Sequence, residues 1–289
     1  MNHLFRYQGW GLDMIVPMWV PELAESQSTA APDWELRTGP VPSIDRDTLR
    51  FTLPNGAPVA IMGEKSAYVA NDRSASGMHP SLLRSVLAPV LRLRGNIVLH
   101  GSAIEWNGRT LVLVGPSGSG KTTLAATVCA MGGRLLTDEL CAVVWNGNCP
   151  MVLPGSRLLA LHPEALRLTG LMEPSALSQR QDEILIRNGR VLTSVPLQEE
   201  RRKVDMLCLL AWSQSTEPNI TPVTAAARFD LLASARYQPG VGPHAANATE
   251  LPQIGKLLSK CPIVRLERSL ATSPIESADM LKNMAYSRW

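Results

Sequence analysis

Apolar and polar positions divide the chain into two unlike parts. Through residues 1–75, short apolar stretches alternate with turn signals and no long helical period develops. Residues 11–20 form one such stretch, and Pro54-Asn55-Gly56 and Gly63-Glu64 are turn signals. Residues 49–53 and 59–62 flank the Asn-Gly pair and predict a hairpin. Residues 24–48, rich in Ser, Thr, Pro and Asp, read as a loop or linker. A helix is expected from Pro80, because Leu82, Leu83, Val86, Leu87, Val90 and Leu91 recur at helical spacing. Pro89 is a candidate kink, and Gly95 ends the helix.

The pattern then sharpens. Residues 97–106 read as a strand, Asn107-Gly108 as a tight turn, and 110–114 as a strand apolar at nearly every position, hence buried on both faces. A glycine-rich segment follows, then a helix over 121–131 stopped by Gly132-Gly133. A strand over 134–137 ends at Asp138-Glu139. Residues 140–145 and 151–153 pair around 146–148. Beyond these lie a short helix at 162–171, a hairpin of 184–186 and 191–193 around Asn188-Gly189, and a buried strand over 204–212. Helices are expected at 223–237, 249–260 and 275–286, with a strand at 263–266. The class is α/β: a small, mostly β N-terminal module over 1–78 and an α/β domain over 79–289.

Composition narrows the classes. Of 289 residues, 45% are hydrophobic and 18% charged, which supports a core and excludes wholesale disorder. The net charge of +3 is too small to argue for nucleic acid, and the run Arg201-Arg202-Lys203 follows Glu199-Glu200, which offset it. Five cysteines, an odd number with no Cys-x-x-Cys spacing, read as free thiols in a reducing compartment. No apolar run approaches the ~20 residues of a membrane span. Asp13, Pro17 and Pro21 interrupt the N-terminal apolar stretch, so no signal peptide is expected. The expectation is a cytoplasmic protein with neither nucleic acid nor membrane as partner.

The segment Gly115-Pro116-Ser117-Gly118-Ser119-Gly120-Lys121-Thr122 carries the chemistry. Such a loop turns successive backbone N–H groups toward phosphate oxygens, and its glycines supply backbone angles that other residues resist. The following helix offers its positive end to the same anion. Lys121 adds a full charge near the outer phosphates, and the Thr122 hydroxyl is placed for a magnesium ion, with Thr123 next in line. Asp138 and Glu139 follow Thr122 by about one helix and one strand. A carboxylate there holds magnesium or accepts a proton. His100 lies in the strand before the loop. The other histidines show no metal-ligand spacing.

Together, Leu99-His100-Gly101-Ser102-Ala103, the glycine-rich loop and Gly133-Arg134-Leu135-Leu136-Thr137-Asp138-Glu139 resemble the catalytic domain of HPr kinase and its relatives. The resemblance is strongest over residues 85–160. It implies a P-loop α/β domain related to phosphoenolpyruvate carboxykinase, using ATP and Mg2+. It implies Asp138 as the base that takes a serine proton, His100 as its orienting neighbour, Lys121 and Thr122 on phosphate and metal, and Glu139 as a second metal residue. Arg157, in Pro154-Gly155-Ser156-Arg157, is a candidate clamp for a phosphate or a peptide carboxylate.

The acidic pair departs from the family's Asp-Asp, and no HPr-contact signature follows residue 160. The opening Tyr7-x-x-Trp10-Gly11-Leu12-x-Met14 with Pro21-Glu22-Leu23 is similar to small HPr-kinase-like proteins encoded beside lasso-peptide clusters. That likeness implies a peptide or small protein acceptor with a serine, such as the C-terminal serine of a lasso-peptide precursor. A bifunctional HPr kinase/phosphorylase and a nucleotide switch without phosphotransfer stay open, and so does a homo-oligomer.

Overall fold

The structure, a computed structural model, describes residues 3–40, 48–53, 55–70, 80–171, 186–187, 189–224, 227–228 and 247–286. Alternating burial organises its first part. β1 (Phe5–Gly9) and β2 (Leu12–Val16) form a hairpin whose turn, Trp10-Gly11, has φ of 52° and 71°. Two positive angles match the right-handed twist of paired strands. β3 (Ala24–Glu25), β4 (Trp34–Thr38), β5 (Thr48–Thr52), β6 (Pro58–Met62) and β7 (Ser66–Val69) complete a seven-stranded sheet of order β3-β1-β2-β4-β7-β6-β5. The predicted hairpin is β5–β6.

The reading of 24–48 as loop or linker needs correcting. β4 lies inside the sheet, parallel to both β2 and β7. Trp34 and Leu36 alternate inward and are almost fully buried. Two apolar residues amid polar ones are too few to announce a strand; neighbours on both sides make it one.

α1 (Pro80–Leu93) continues through Pro89. It ends in a Schellman motif, with Asn96 N–H on the Leu91 carbonyl (3.0 Å), Gly95 N–H on the Arg92 carbonyl (2.8 Å), and Gly95 at φ 80°. Its buried face, Leu83, Val86, Leu87, Val90 and Leu91, shares one apolar cluster with the N-terminal sheet and with Val98, Leu140 and Ala142.

Those last three residues belong to the second sheet. Its early members are β8 (Ile97–Trp106), β9 (Arg109–Val114), β10 (Arg134–Thr137), β11 (Leu140–Asn146) and β12 (Cys149–Val152), with α2 (Lys121–Ala130) between β9 and β10. β13 (Leu158–Leu161), α3 (Pro163–Thr169), β14 (Ile186–Arg187) and β15 (Arg190–Ser194) follow, the three strands forming a small separate sheet. β16 (Arg202–Lys203), β17 (Met206–Trp212), β18 (Asn219–Pro222), α4 (Asn247–Lys260), β19 (Ile263–Arg268) and α5 (Pro274–Tyr286) complete the described elements. The order is β16-β12-β11-β8-β9-β17-β19-β18, with β10 added against β8. The helix expected at 223–237 falls outside the described residues except at 223–224 and 227–228, and Asn188 of the predicted hairpin also lies outside them.

β9 shows why this sheet is buried on both sides. Leu111 and Leu113 face α2 and α5, whereas Val112 and Val114 face the side of α4. Each such side chain contributes about 1.5–3 kcal/mol on burial. β9, β17 and β19 run parallel, so their C-terminal ends gather on one edge beside the glycine-rich loop. That edge is where open α/β sheets place ligands.

Trp10 pins the two sheets together. Its backbone N–H donates to the Pro154 carbonyl (2.6 Å) and its indole N–H to the Leu140 carbonyl (2.8 Å). Gly155 lies directly under the indole, with no room for a Cβ. Replacing Trp10 by Ala is expected to cost about 3–5 kcal/mol, the range for emptying a buried aromatic site. Urea unfolding measures this; a cost below about 1 kcal/mol would show that the contact does not hold the sheets together.

Candidate functional site

The glycine-rich loop connects the C-terminal end of β9 to α2. Gly115, Gly118 and Gly120 have φ of 149°, 80° and 82°. A Cβ on Gly115 would lie 2.7 Å from the Leu210 carbonyl oxygen and 2.8 Å from Ser119 Oγ, so the loop admits only glycine there. Gly120 caps α2 in left-handed geometry without a side-chain bond, which leaves the helix's first N–H groups without a capping side chain. Pro116 and Ser117 form the outer part of the loop, and Ser119 Oγ is buried with no partner among the described residues. Lys121 is 6% exposed and its Nζ donates to the carbonyls of Gly115 (2.9 Å) and Pro116 (3.0 Å). Burial lowers its pKa, and Asp138 opposes that shift. The Thr123 carbonyl is occupied within α2 by Thr127 Oγ1.

Asp138 sits at the corner between β10 and β11. β8 is long enough to pair with β11 through Ile97–His100 and with β10 through Ala103–Glu105, so the corner falls opposite Gly101-Ser102. A Cβ on Gly101 would come within 2.6 Å of the Leu113 carbonyl, so glycine is required there as well. Ser102 Oγ donates to Asp138 Oδ1 at 2.5 Å, and Thr122 Oγ1 lies 3.2 and 3.1 Å from the two carboxylate oxygens. Asp138 is 4% exposed. Burial raises its pKa, while Ser102, Arg84, Thr122 and Lys121 pull it back down.

His100 and Ser102, two apart on β8, project to the same face. Burial first, then the charges of Lys121 and Arg84, push the His100 pKa down to about 4. The imidazole is therefore neutral over the ordinary pH range.

Glu139 departs from expectation. Its φ is +63°, uncommon for a residue with a side chain. Its carboxylate pairs closely with Arg84, with Arg190 Nη1 4.0 Å away, and Arg84 also holds Glu22 at 3.2 Å. The chain direction reverses at the corner and sends the adjacent carboxylates apart: Asp138 to Thr122, Glu139 to the arginines. A carboxylate engaged by two guanidiniums is a poor cation ligand, so the oxygen pair the structure brings together is Thr122 with Asp138, not Thr122 with Glu139.

Arg157 is exposed, its backbone N–H donates to the Glu22 carbonyl (2.8 Å), and it lines a groove of about 720 Å³ with Gln8, Asp13, Asp33, Gln198 and Arg201. No residue from 115 to 123 lines that groove.

Four contributors escaped the sequence reading. Ser102 and Arg84 act on Asp138, while Trp212 and Arg268 hold the loop from the ends of β17 and β19. Trp212 Nε1 donates to the Gly118 carbonyl (3.0 Å), and the Arg268 guanidinium donates to the Ser119 carbonyl and lies 4.6 Å from the Trp212 ring centroid. For Trp212 and Arg268, only their position at the ends of β17 and β19, parallel to β9, could have signalled them.

The donor set suits the groups that the sequence implies. Glycine-only backbone and a free helix N-terminus fit phosphate, and a hydroxyl beside a carboxylate fits magnesium, which takes one or two carboxylates and completes its shell with phosphates and water. Among the described residues no three His, Cys, Asp or Glu side chains gather as a metal site. All five cysteines are free, and burial pushes Cys129, Cys141, Cys208 and Cys261 up to about 12. No described helix is long and apolar enough to cross a membrane.

The His100 shift has a measurable sign. Unfolded, the ring takes a proton near pH 6.5; folded, it does so near pH 4. In that window the unfolded chain binds more protons, so this contribution to stability is complete above pH 6.5 and is lost as pH falls through 4. The urea midpoint of His100→Gln should therefore fall less between those pH values than that of the wild type. Equal declines would show that His100 is not held neutral.

No family model matches the chain, and no curated protein matches it. Among solved structures the chain is similar to the Hpr(Ser) kinase/phosphatase from Coxiella burnetii at 9% identity, with 65% of this chain and 95% of that chain covered and a TM-score of 0.35.

Proposed function

We propose that this chain is an ATP-dependent phosphotransferase of the HPr kinase-like class, moving the γ-phosphate to a serine hydroxyl of a peptide. One observation carries the proposal: Thr122 of the glycine-rich loop and the buried carboxylate of Asp138 are in hydrogen-bond contact, with Ser102 and His100 on the strand beside them.

Phosphoryl transfer asks a protein mainly for position and charge. The loop N–H groups and the α2 N-terminus hold the phosphates. Lys121 leaves the carbonyls of Gly115 and Pro116 for the outer phosphate oxygens. Thr122 and Asp138 are the side chains that would hold magnesium, which would supply positive charge against the phosphates. Asp138 also receives the serine proton, its carboxylate held in position by Ser102 Oγ and Thr122 Oγ1. His100, being neutral, adds no positive charge that would weaken that base.

The peptide acceptor, a lasso-peptide precursor in the finer form of the proposal, rests on the resemblance of the opening motif. Most of that motif is packing: Tyr7, Trp10, Leu12, Met14 and Leu23 are buried. Its Glu22 has a second consequence, since it holds Arg84, whose charge acts on Asp138. A nucleotide switch is the second reading. It is favoured because Lys121 and Thr122 already have protein partners that a nucleotide would displace.

The test is incubation with magnesium ATP and either a peptide ending in serine or HPr, with mass spectrometry for one added phosphate. Lys121→Ala and Asp138→Asn should each cut transfer by about 100-fold or more while melting stays cooperative. Near-normal transfer by Asp138→Asn would sink the base assignment. ATP binding with no acceptor labelled would favour the switch, and phosphate on HPr alone would restore a regulatory kinase.

A further inference from the structure

Trp212 is 46% exposed, yet it is fixed in place. Its indole N–H is bonded to the Gly118 carbonyl, and the guanidinium of Arg268 lies against its ring. Arg268 is 5% exposed and is tied to the Ser119 carbonyl, and its Nη1 has no acceptor among the described residues. A tryptophan used only for packing would be buried. Here a large flat ring is anchored by its edge, backed by a cation, and left partly open to solvent at the C-terminal ends of β17 and β19, beside the loop.

Building on the nucleotide reading above, we infer that Trp212 is the stacking platform for the nucleotide base, with Arg268 as its backing. The ring touches the phosphate loop itself, so a nucleotide whose phosphates occupy the loop has its base within one nucleoside length of the indole. Arg268 behind the ring adds a cation–π contact that orients the indole. Recognition by stacking tolerates any base, because every base has a π face. This accounts for a nucleotide site without a base-reading sequence motif.

Binding of ADP and of inorganic tripolyphosphate, which has no base, separates the roles by calorimetry on the full chain. Trp212→Ala, which removes ring and brace together, should weaken ADP by about tenfold or more beyond any loss it causes for tripolyphosphate. Trp212→Phe, which keeps a ring but loses the bond to Gly118, should retain most of the ADP affinity. Equal weakening of both ligands in Trp212→Ala would overturn the platform and leave Trp212 a brace for the loop. No change for either would overturn it as well. Wild-type protein that binds neither ligand would instead remove the nucleotide reading on which the platform rests.

Discussion

A carboxylate buried to 4% exposure is the constraint around which the second sheet is arranged. An ionised group taken out of water is costly unless it is hydrogen-bonded and faced by opposite charge. Asp138 meets both needs through Ser102 of β8, Thr122 and Lys121 of α2, and Arg84 of α1. To deliver it there, β8 must extend past one partner strand and pair with the next, and the chain must turn sharply between β10 and β11. Glu139 at positive φ is the local sign of that turn.

The N-terminal sheet takes part in this arrangement. Trp10 donates to the Leu140 carbonyl, which also accepts from Thr137 Oγ1, so the corner holding Asp138 is gripped from both sides. Glu22 holds Arg84 against Glu139, and the Arg84 charge lowers the pKa of both Asp138 and His100. A loss at either contact would be felt at the carboxylate, although neither residue lies in the glycine-rich loop.

The loop is braced rather than free-standing. Lys121 bonds two of its carbonyls from inside, and Trp212 and Arg268 bond two more from the neighbouring strand ends. Within the loop the Ser119 N–H closes a turn onto the Pro116 carbonyl (3.1 Å).

Local pattern was enough for the strand-loop-helix unit of 110–131, the Asn-Gly hairpin of 49–62, and the strands on either side of Asp138. In each, burial period, turn residues and glycine positions agree over a few neighbouring residues. It was not enough for β4, whose two inward apolar residues become a strand only between β2 and β7. Nor could it separate Asp138 from Glu139: adjacent carboxylates look equivalent until the turn sends one to Thr122 and the other to Arg84. The sequence by itself determined the α/β class, the glycine-rich loop and the identity of the candidate carboxylates, because these depend on contacts close along the chain. Only the tertiary structure decided which carboxylate meets Thr122, and that Arg84, Trp212 and Arg268 lie against Asp138 and the glycine-rich loop. Those placements depend on strand pairing and ion pairs between residues far apart in sequence, about which local periodicity carries no information.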